Sequence, residues 1–243
     1  MSHAMLDLHC HILPGVDDGP PTMEQAIEMA VAAFRDGTCT IVAAPHSRDV
    51  NERSSIACVR TLAERLNEEL RARSIPLDVL LGMENHLALD TPEQVDAGTC
   101  LPIEGTRCIL IELPFEFYPY HTRDTLRSLR NRGLTPVVVH PERNLAIQRE
   151  PQLLASLVQD GVVSQITAGS LTGDMGLDAQ HSAEKLLRLG LAHVIASDGH
   201  APSGTRAPQL SRGVAAAAAV VGDEAARRMV DSTPRAMLES RVK

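Results

Sequence analysis

Met5-Leu6-Asp7-Leu8-His9-Cys10-His11 is the stretch that decides how this chain folds. It begins as a short apolar run of the kind that forms a buried strand, and it ends on two imidazoles two positions apart. Side chains at i and i+2 of a strand share one face, so His9 and His11 can converge on a single point. A strand that delivers paired histidines at its end is the signature of a site built on strand termini rather than on a helix or a flexible loop.

Working outward, the arrangement repeats. Ile41-Val42-Ala43-Ala44 leads through Pro45 to His46, and Val79-Leu80-Leu81-Gly82-Met83 leads to Glu84. Ile109-Leu110-Ile111 leads to Glu112, Pro136-Val137-Val138-Val139 to His140, and Val194-Ile195-Ala196-Ser197 to Asp198-Gly199-His200. A single histidine or glutamate after a strand is ordinary. Six of seven apolar runs ending this way, with Asp198 and His200 repeating the two-residue spacing of His9 and His11, is a pattern. Imidazole mixed with carboxylate, and no thiolate, suits Mn²⁺, Fe²⁺ or Zn²⁺. The eight residues His9, His11, His46, Glu84, Glu112, His140, Asp198 and His200 exceed what one ion needs and fit a cluster of two or three divalent ions bridged by carboxylates.

The runs place strands at Met5–Cys10, 38–44, 77–83, 108–113, Thr135–Val139, Val163–Thr167 and 193–196. Amphipathic patterns between them predict helices at 23–35, 54–73, 122–132, 151–160 and 179–189. Arg35-Asp36-Gly37, Asn131-Arg132-Gly133 and Arg188-Leu189-Gly190 each carry the glycine that closes a helix before the next strand. Strands alternating with helices predict parallel crossover units and an α/β barrel of seven strands, whose strand ends meet on one rim. The stretch 85–106 is less regular, and the Ala-rich segment from Ala207 is expected to pack as helix on the barrel. Residues 1–4 read as a tag remnant, His3 included, and 5–243 as one domain.

Composition narrows the alternatives. With 44% hydrophobic but only 2% aromatic residues and no Trp, the core must rest on Leu, Val, Ile and Ala. The net charge of −8 comes with no dense basic run, which argues against nucleic acid. A bound divalent cation can still attract an anionic substrate to an acidic protein. Five cysteines, Cys10, Cys39, Cys58, Cys100 and Cys108, contain no CxxC pair and read as reduced, mostly buried thiols of a cytoplasmic protein. No apolar stretch is long enough for membrane insertion. The cysteine-phosphatase loop, the Walker loop and the Gly-x-Ser-x-Gly elbow are all missing.

Arginines point to the substrate. Arg143 lies three residues beyond His140, and Arg206 a few beyond His200, with Arg48 a weaker third. A guanidinium fork suits phosphate oxygens better than an ammonium does. Lys occurs only at positions 185 and 243, so Arg is the default cation here. His181 and His193 fall within helix or early strand, and His86 and His121 are left unassigned.

Asp7-Leu8-His9-Cys10-His11-Ile12-Leu13-Pro14-Gly15-Val16-Asp17-Asp18-Gly19 resembles the opening motif of the PHP (polymerase and histidinol phosphatase) superfamily. More narrowly, it resembles the bacterial manganese-dependent protein-tyrosine phosphatases of capsular and exopolysaccharide clusters. The likeness continues through Ala44-Pro45-His46, Gly82-Met83-Glu84, Ile111-Glu112, His140-Pro141-Glu142-Arg143, Gln165-Ile166-Thr167-Ala168-Gly169-Ser170 and Ala196-Ser197-Asp198-Gly199-His200. The chain departs from it at Asn85-His86, where relatives carry an apolar residue, and at Met175-Gly176, where Phe-Gly is expected. The resemblance implies a distorted (β/α)7 barrel of the PHP type, three metal sites on those same eight residues with Mn²⁺ preferred, and phosphate binding by Arg143 and Arg206. It implies hydrolysis of phosphotyrosine on a protein, the tail of a polysaccharide-export tyrosine kinase. The expected chemistry is direct attack on phosphorus by a metal-activated hydroxide, with Arg143, Arg206 and His46 as catalytic residues and His46 or His200 supplying a proton. A PHP-type phosphoesterase acting on a small molecule such as histidinol phosphate is the alternative.

Overall fold

The computed structural model describes residues 4–240; the expected tag residues 1–3, His3 among them, and Lys243 lie outside the described residues. Among the described residues eight strands form, all paired in parallel: β1 Met5–Cys10, β2 Thr38–Ala43, β3 Asp78–Leu81, β4 Glu84–His86, β5 Cys108–Glu112, β6 Thr135–Val139, β7 Val163–Thr167 and β8 Val194–Ala196. The sequence reading expected seven. The difference lies at 77–83, where one expected strand becomes β3 and a new short strand, β4, begins at Glu84. The break falls at Gly82-Met83. A Cβ on Gly82 would stand 2.9 Å from Val42 Cγ1, so only glycine lets the backbone pass this close to β2.

The break divides the strands into a three-stranded sheet, β1-β2-β3, and a five-stranded sheet, β4-β5-β6-β7-β8. Isolated bridges join them at both margins, His46 to Glu84 and Cys10 to Gly199. At the second margin His11 N–H donates to Gly199 O (2.8 Å) and Asp198 N–H to His9 O (2.9 Å). The strand order therefore closes on itself, and the backbone bonds that close it run between candidate site residues.

Helices cover the strands as the periodicity requires. In the helix Met23–Asp36, Ala26, Ile27, Met29, Ala30 and Ala33 are buried along one stripe; Thr22 accepts Gln25 N–H at its start, and Gly37 ends it at φ 102°. The expected helix at 54–73 is preceded by a separate one, Ser47–Arg53, before Ile56–Ala72. The expected helices at 122–132, 151–160 and 179–189 form as Thr122–Asn131, Gln152–Gln159 and Leu177–Arg188. The Ala-rich C-terminal segment is three helices, Ser211–Val221, Asp223–Arg228 and Ser232–Glu239, the first ending at Gly222 with φ 85°.

Aliphatic side chains supply the core. Leu8, Val42, Leu110, Val137, Val139 and Val194 pack together, while Ile41, Ala43, Val79 and Leu81 pack in a second cluster with residues of Met23–Asp36 and Ile56–Ala72. Of the five free cysteines Cys10, Cys100 and Cys108 are buried, Cys39 is half-buried and Cys58 is exposed. Among the described residues no helix is long and apolar enough to cross a membrane.

Candidate metal centre

The eight strand-end residues meet at one place. On β1 the pairing advances from Asp7↔Ile41 to Cys10↔Ala43, three residues against two, so one extra residue is accommodated. Such a bulge re-aims the side chains beside it. His9 and His11 are both fully buried with their Nε2 atoms 3.1 Å apart. His9 Nε2 lies 3.6 Å from Glu84 Oε1 and 3.7 Å from Asp198 Oδ1, and His11 Nε2 lies 3.5 Å from Glu84 Oε2 and from Asp198 Oδ1. His140 Nε2 stands 2.8 Å from Glu84 Oε1 and 3.9 Å from Glu112 Oε1. His46 Nδ1 stands 2.7 Å from Glu84 Oε2. His200 stacks on His11 at 3.9 Å between ring centroids.

Two of these residues are held in a backbone conformation that side chains disfavour. Among the described non-glycine residues only Ser74, His140 and Asp198 have positive φ, at 57°, 34° and 51°. Each costs about 1–3 kcal/mol and persists where the surroundings over-determine it. At His140 the surroundings include Glu142, fully buried in the 3-10 turn Pro141–Arg143, which accepts Thr167 N–H (3.0 Å) and Ser170 O–H (2.7 Å) and so ties the turn to the end of β7.

The sequence reading left Asp17 and Asp18 unassigned, and both belong to the site. Asp17 accepts His11 Nδ1–H at 2.8 Å and the His46 backbone N–H at 3.2 Å. Asp18 Oδ1 lies 3.3 Å from His200 Nε2 and 3.5 Å from His46 Nε2. Gly19 is what brings this acidic pair in, since a Cβ there would sit 2.2 Å from the His11 carbonyl oxygen. The one signal in the sequence was the Asp17-Asp18-Gly19 run closing the first motif. His86, also unassigned, holds Glu112 through Nδ1 at 3.0 Å. Asn85 is fully buried, its amide set among the carbonyls of Met83, Leu101 and Leu110, so the unexpected polar residue after Glu84 clamps β4 in place. His193 hydrogen-bonds Ser164, and neither it nor His181 belongs to a cluster of candidate ligands.

The donor set fits divalent cations. His11 gives its Nδ1–H to Asp17, and His200 gives its own to the Asp198 carbonyl at 2.7 Å, so in each it is Nε2 that faces the centre as the candidate ligand atom. Fixing one ring nitrogen in this way is how metal-binding histidines are oriented. Three overlapping groups offer ligand atoms within 4.8 Å of one another: His11, Asp18, His46 and His200; His9, His11 and Glu84; His46, Glu84 and Glu112. Electrostatics make the same demand. Burial alone would depress His11 and His46, but the hydrogen bonds of Asp17 and Asp198 hold the first at about 10, and those of Asp18 and Glu84 hold the second at about 11. Burial alone would raise Glu84, yet the charge of His9 and the hydrogen bond of His140 keep it well below the carboxylate range. The centre requires positive charge, which protons or bound cations supply in competition.

Both expected arginines reach it. Arg143 donates to Asp198 Oδ2 at 2.9 Å with its guanidinium 4.5 Å above the Phe115 ring, and Arg206 donates twice to Asp18 Oδ2 at 3.1 Å. The Arg206 carbonyl accepts His200 N–H at 2.8 Å, which fixes the loop that carries it. Arg48 is exposed on a cavity of about 490 Å³ whose lining includes His46, Glu84 and Glu112.

The family profile for capsular polysaccharide synthesis, CpsB/CapC, matches residues 5–239. The chain belongs to the CpsB/CapC family. Within it, the tyrosine-protein phosphatase YwqE of Bacillus subtilis is 40% identical over 196 residues, which are 81% of this chain and 77% of that protein. The tyrosine-protein phosphatase CpsB of Streptococcus pneumoniae is 26% identical across 96% of this chain and 98% of its own length. A crystal structure from work on YwqE and CpsB, described as unique metal-dependent tyrosine phosphatases, superposes with a TM-score of 0.90 at 34% identity, covering 98% of this CpsB/CapC chain and 96% of the other. A β-aspartyl dipeptidase from Fervidobacterium islandicum, at TM-score 0.57 and 11% identity, shares the fold alone.

Proposed function

We propose that this chain is a metal-dependent phosphatase that removes phosphate from tyrosine on a protein. The observation that carries the reading is the convergence, on one buried centre, of cation-demanding ligands with the two guanidinium groups of Arg143 and Arg206. The similarity to YwqE and CpsB supports phosphotyrosine as the substrate. His9, His11, His46, Glu84, Glu112, His140, Asp198 and His200 are the proposed ligands, and Asp18 joins them. Two or three divalent ions, Mn²⁺ first with Fe²⁺ and Zn²⁺ as alternatives, supply Lewis acidity and an activated water when bound.

The chain's own residues do the remaining work. Arg143 and Arg206 grip the equatorial oxygens of the phosphoryl group, where charge spreads in the transition state. Asp198 and Asp18, which hold the two guanidinium groups now, keep them oriented toward that position. The imidazole of His46 has 30% of its side chain exposed, against 0–4% for His9, His11, His140 and His200, so it is the one placed to hand a proton through water to the departing phenolate. A phenol of pKa about 10 needs only modest help to leave. Counting β3 and β4 as one bent strand brings the barrel to the seven of the PHP type, and residues 5–243 to one such domain. The proposed setting is the cytoplasm, and the proposed partner is the tyrosine-phosphorylated tail of a bacterial kinase.

Protein stripped of metal and reloaded with Mn²⁺, Fe²⁺ or Zn²⁺, assayed on a phosphotyrosine peptide and on histidinol phosphate, tests this. Metal-dependent turnover of the peptide is expected, and it should vanish in His140→Ala. Faster turnover of histidinol phosphate would move the substrate to the small-molecule class; full activity of His140→Ala without metal carry-over would remove the assignment of the centre.

A further inference from the structure

The chain has five aromatic residues, three Phe and two Tyr, and four of them stand within six positions: Phe115, Phe117, Tyr118 and Tyr120. The segment follows directly on β5, whose last residue is the candidate ligand Glu112. Tyr118 packs against the core, but Phe117 and Tyr120 do not serve packing, being 57% and 90% exposed. Nor is the segment loose. Asn144, itself buried, donates to the Pro114 and Phe117 carbonyls (2.6 and 2.9 Å), and Leu145 N–H donates to Phe115 O (2.7 Å). The backbone presenting these rings is thus bonded to the two residues that follow Arg143. An exposed ring on a pinned backbone is preorganised to meet something.

The cavity of about 490 Å³ shows what it meets. His46, Glu84 and Glu112 line it together with Phe115 and Phe117. A phosphoryl group held at the centre has this cavity beside it to take its ester substituent, with both phenylalanines in the lining. One face of Phe115 is taken by the Arg143 guanidinium, which leaves Phe117 to meet the substituent. The geometry points to Phe117 as the residue that selects an aryl over an alkyl phosphate, by packing against the phenol ring while Phe115 positions Arg143. The inference rests on the phosphatase reading above and adds to it the source of its preference for tyrosine. Rings packed offset or edge-to-face gain attraction beyond their buried area, which an alkyl chain does not match.

The test measures affinity rather than turnover. Benzylphosphonate, an uncleavable phosphotyrosine mimic, and methylphosphonate are titrated calorimetrically into the Mn²⁺-loaded protein. The wild type should prefer the benzyl compound, and Phe117→Ala should shrink that preference about three- to tenfold. Phe117→Tyr should restore it. Tyr120, 90% exposed and outside the cavity, serves as the control: Tyr120→Ala should keep the wild-type preference. A wild type without preference, or a Phe117→Ala protein that keeps it, overturns the inference. Failure of the phosphatase reading looks different, because the loaded wild type would then hydrolyse neither a phosphotyrosine peptide nor an aryl phosphate.

Discussion

Replacing Asp7 by Asn should remove a pH dependence from the stability of the metal-free protein. Asp7 is buried at 1% exposure beneath the centre, where one carboxylate oxygen accepts the backbone N–H groups of His9 (3.2 Å) and Ser197 (3.0 Å), tying β1 to the end of β8. Burial, only partly offset by those bonds, pushes its carboxyl up from 3.8 to about 6. Between these values the folded protein keeps a proton that the unfolded chain has lost, so unfolding free energy falls as pH rises. The contribution is fully present below the unfolded pKa and is lost as pH climbs through about 6. At 1.36 kcal/mol per pKa unit, it declines by about 2 kcal/mol between about pH 4.5 and about pH 7.5. His11 and His46, held near 10 and 11 in the fold, titrate over that span only in the unfolded chain, equally in both proteins, so their contribution cancels in the comparison. Asn keeps an oxygen for both N–H donors and carries no charge. Urea unfolding of both metal-free proteins across the range should therefore show the wild type losing about 2 kcal/mol relative to Asp7→Asn. A wild-type stability, taken relative to Asp7→Asn, that stays level or rises with pH would refute the reasoning, since either result requires a carboxyl that burial has not raised.

Asp17→Ala frees His11 Nδ1 and should weaken metal binding by about 10- to 100-fold, read by competition with a chelator of known affinity; unchanged affinity would mean that the 2.8 Å contact does not orient the ring. Arg206→Ala should cost about 1.5–3 kcal/mol in kcat/KM toward an aryl phosphate through the loss of a charge-assisted pair, appearing mainly in KM, and an effect confined to kcat would contradict its role in phosphate binding. Gly19→Ala forces a Cβ to 2.2 Å from the His11 carbonyl and should cost about 1–3 kcal/mol of stability together with metal affinity, so a variant that binds metal normally would show that the Asp17-Asp18 turn is not held by that contact.

How far the sequence reaches differs from residue to residue. His9 and His11 declared themselves because strand periodicity turns a spacing of two into one shared direction, and their neighbours in the apolar runs marked where the strand stops. Phe117 carried no such mark, since its meaning depends on a cavity wall made jointly with residues far away in the chain. The boundary between β3 and β4 was hidden as well. Gly82 reads as an interruption only once Val42 of the adjacent strand is seen to leave no room for a side chain. Asp17 and Asp18 lie after the strand, where acids in a glycine-containing run are ordinarily solvated, and only the fold shows that they face His11, His46 and His200.

What the sequence determined by itself was the kind of molecule and the chemistry available to it: alternating strand and helix periods, with imidazoles and carboxylates where the apolar runs end. Local periodicity suffices for that, because a parallel strand's direction decides which end its last residue occupies. What tertiary structure alone decided was which of those groups share an ion, which acids hold the arginines, and which ring faces the space beside them. Those are distances between residues as far apart as 18 and 206, set by strand pairing and by the Gly19 and Gly82 contacts, and no local pattern encodes a distance of that kind.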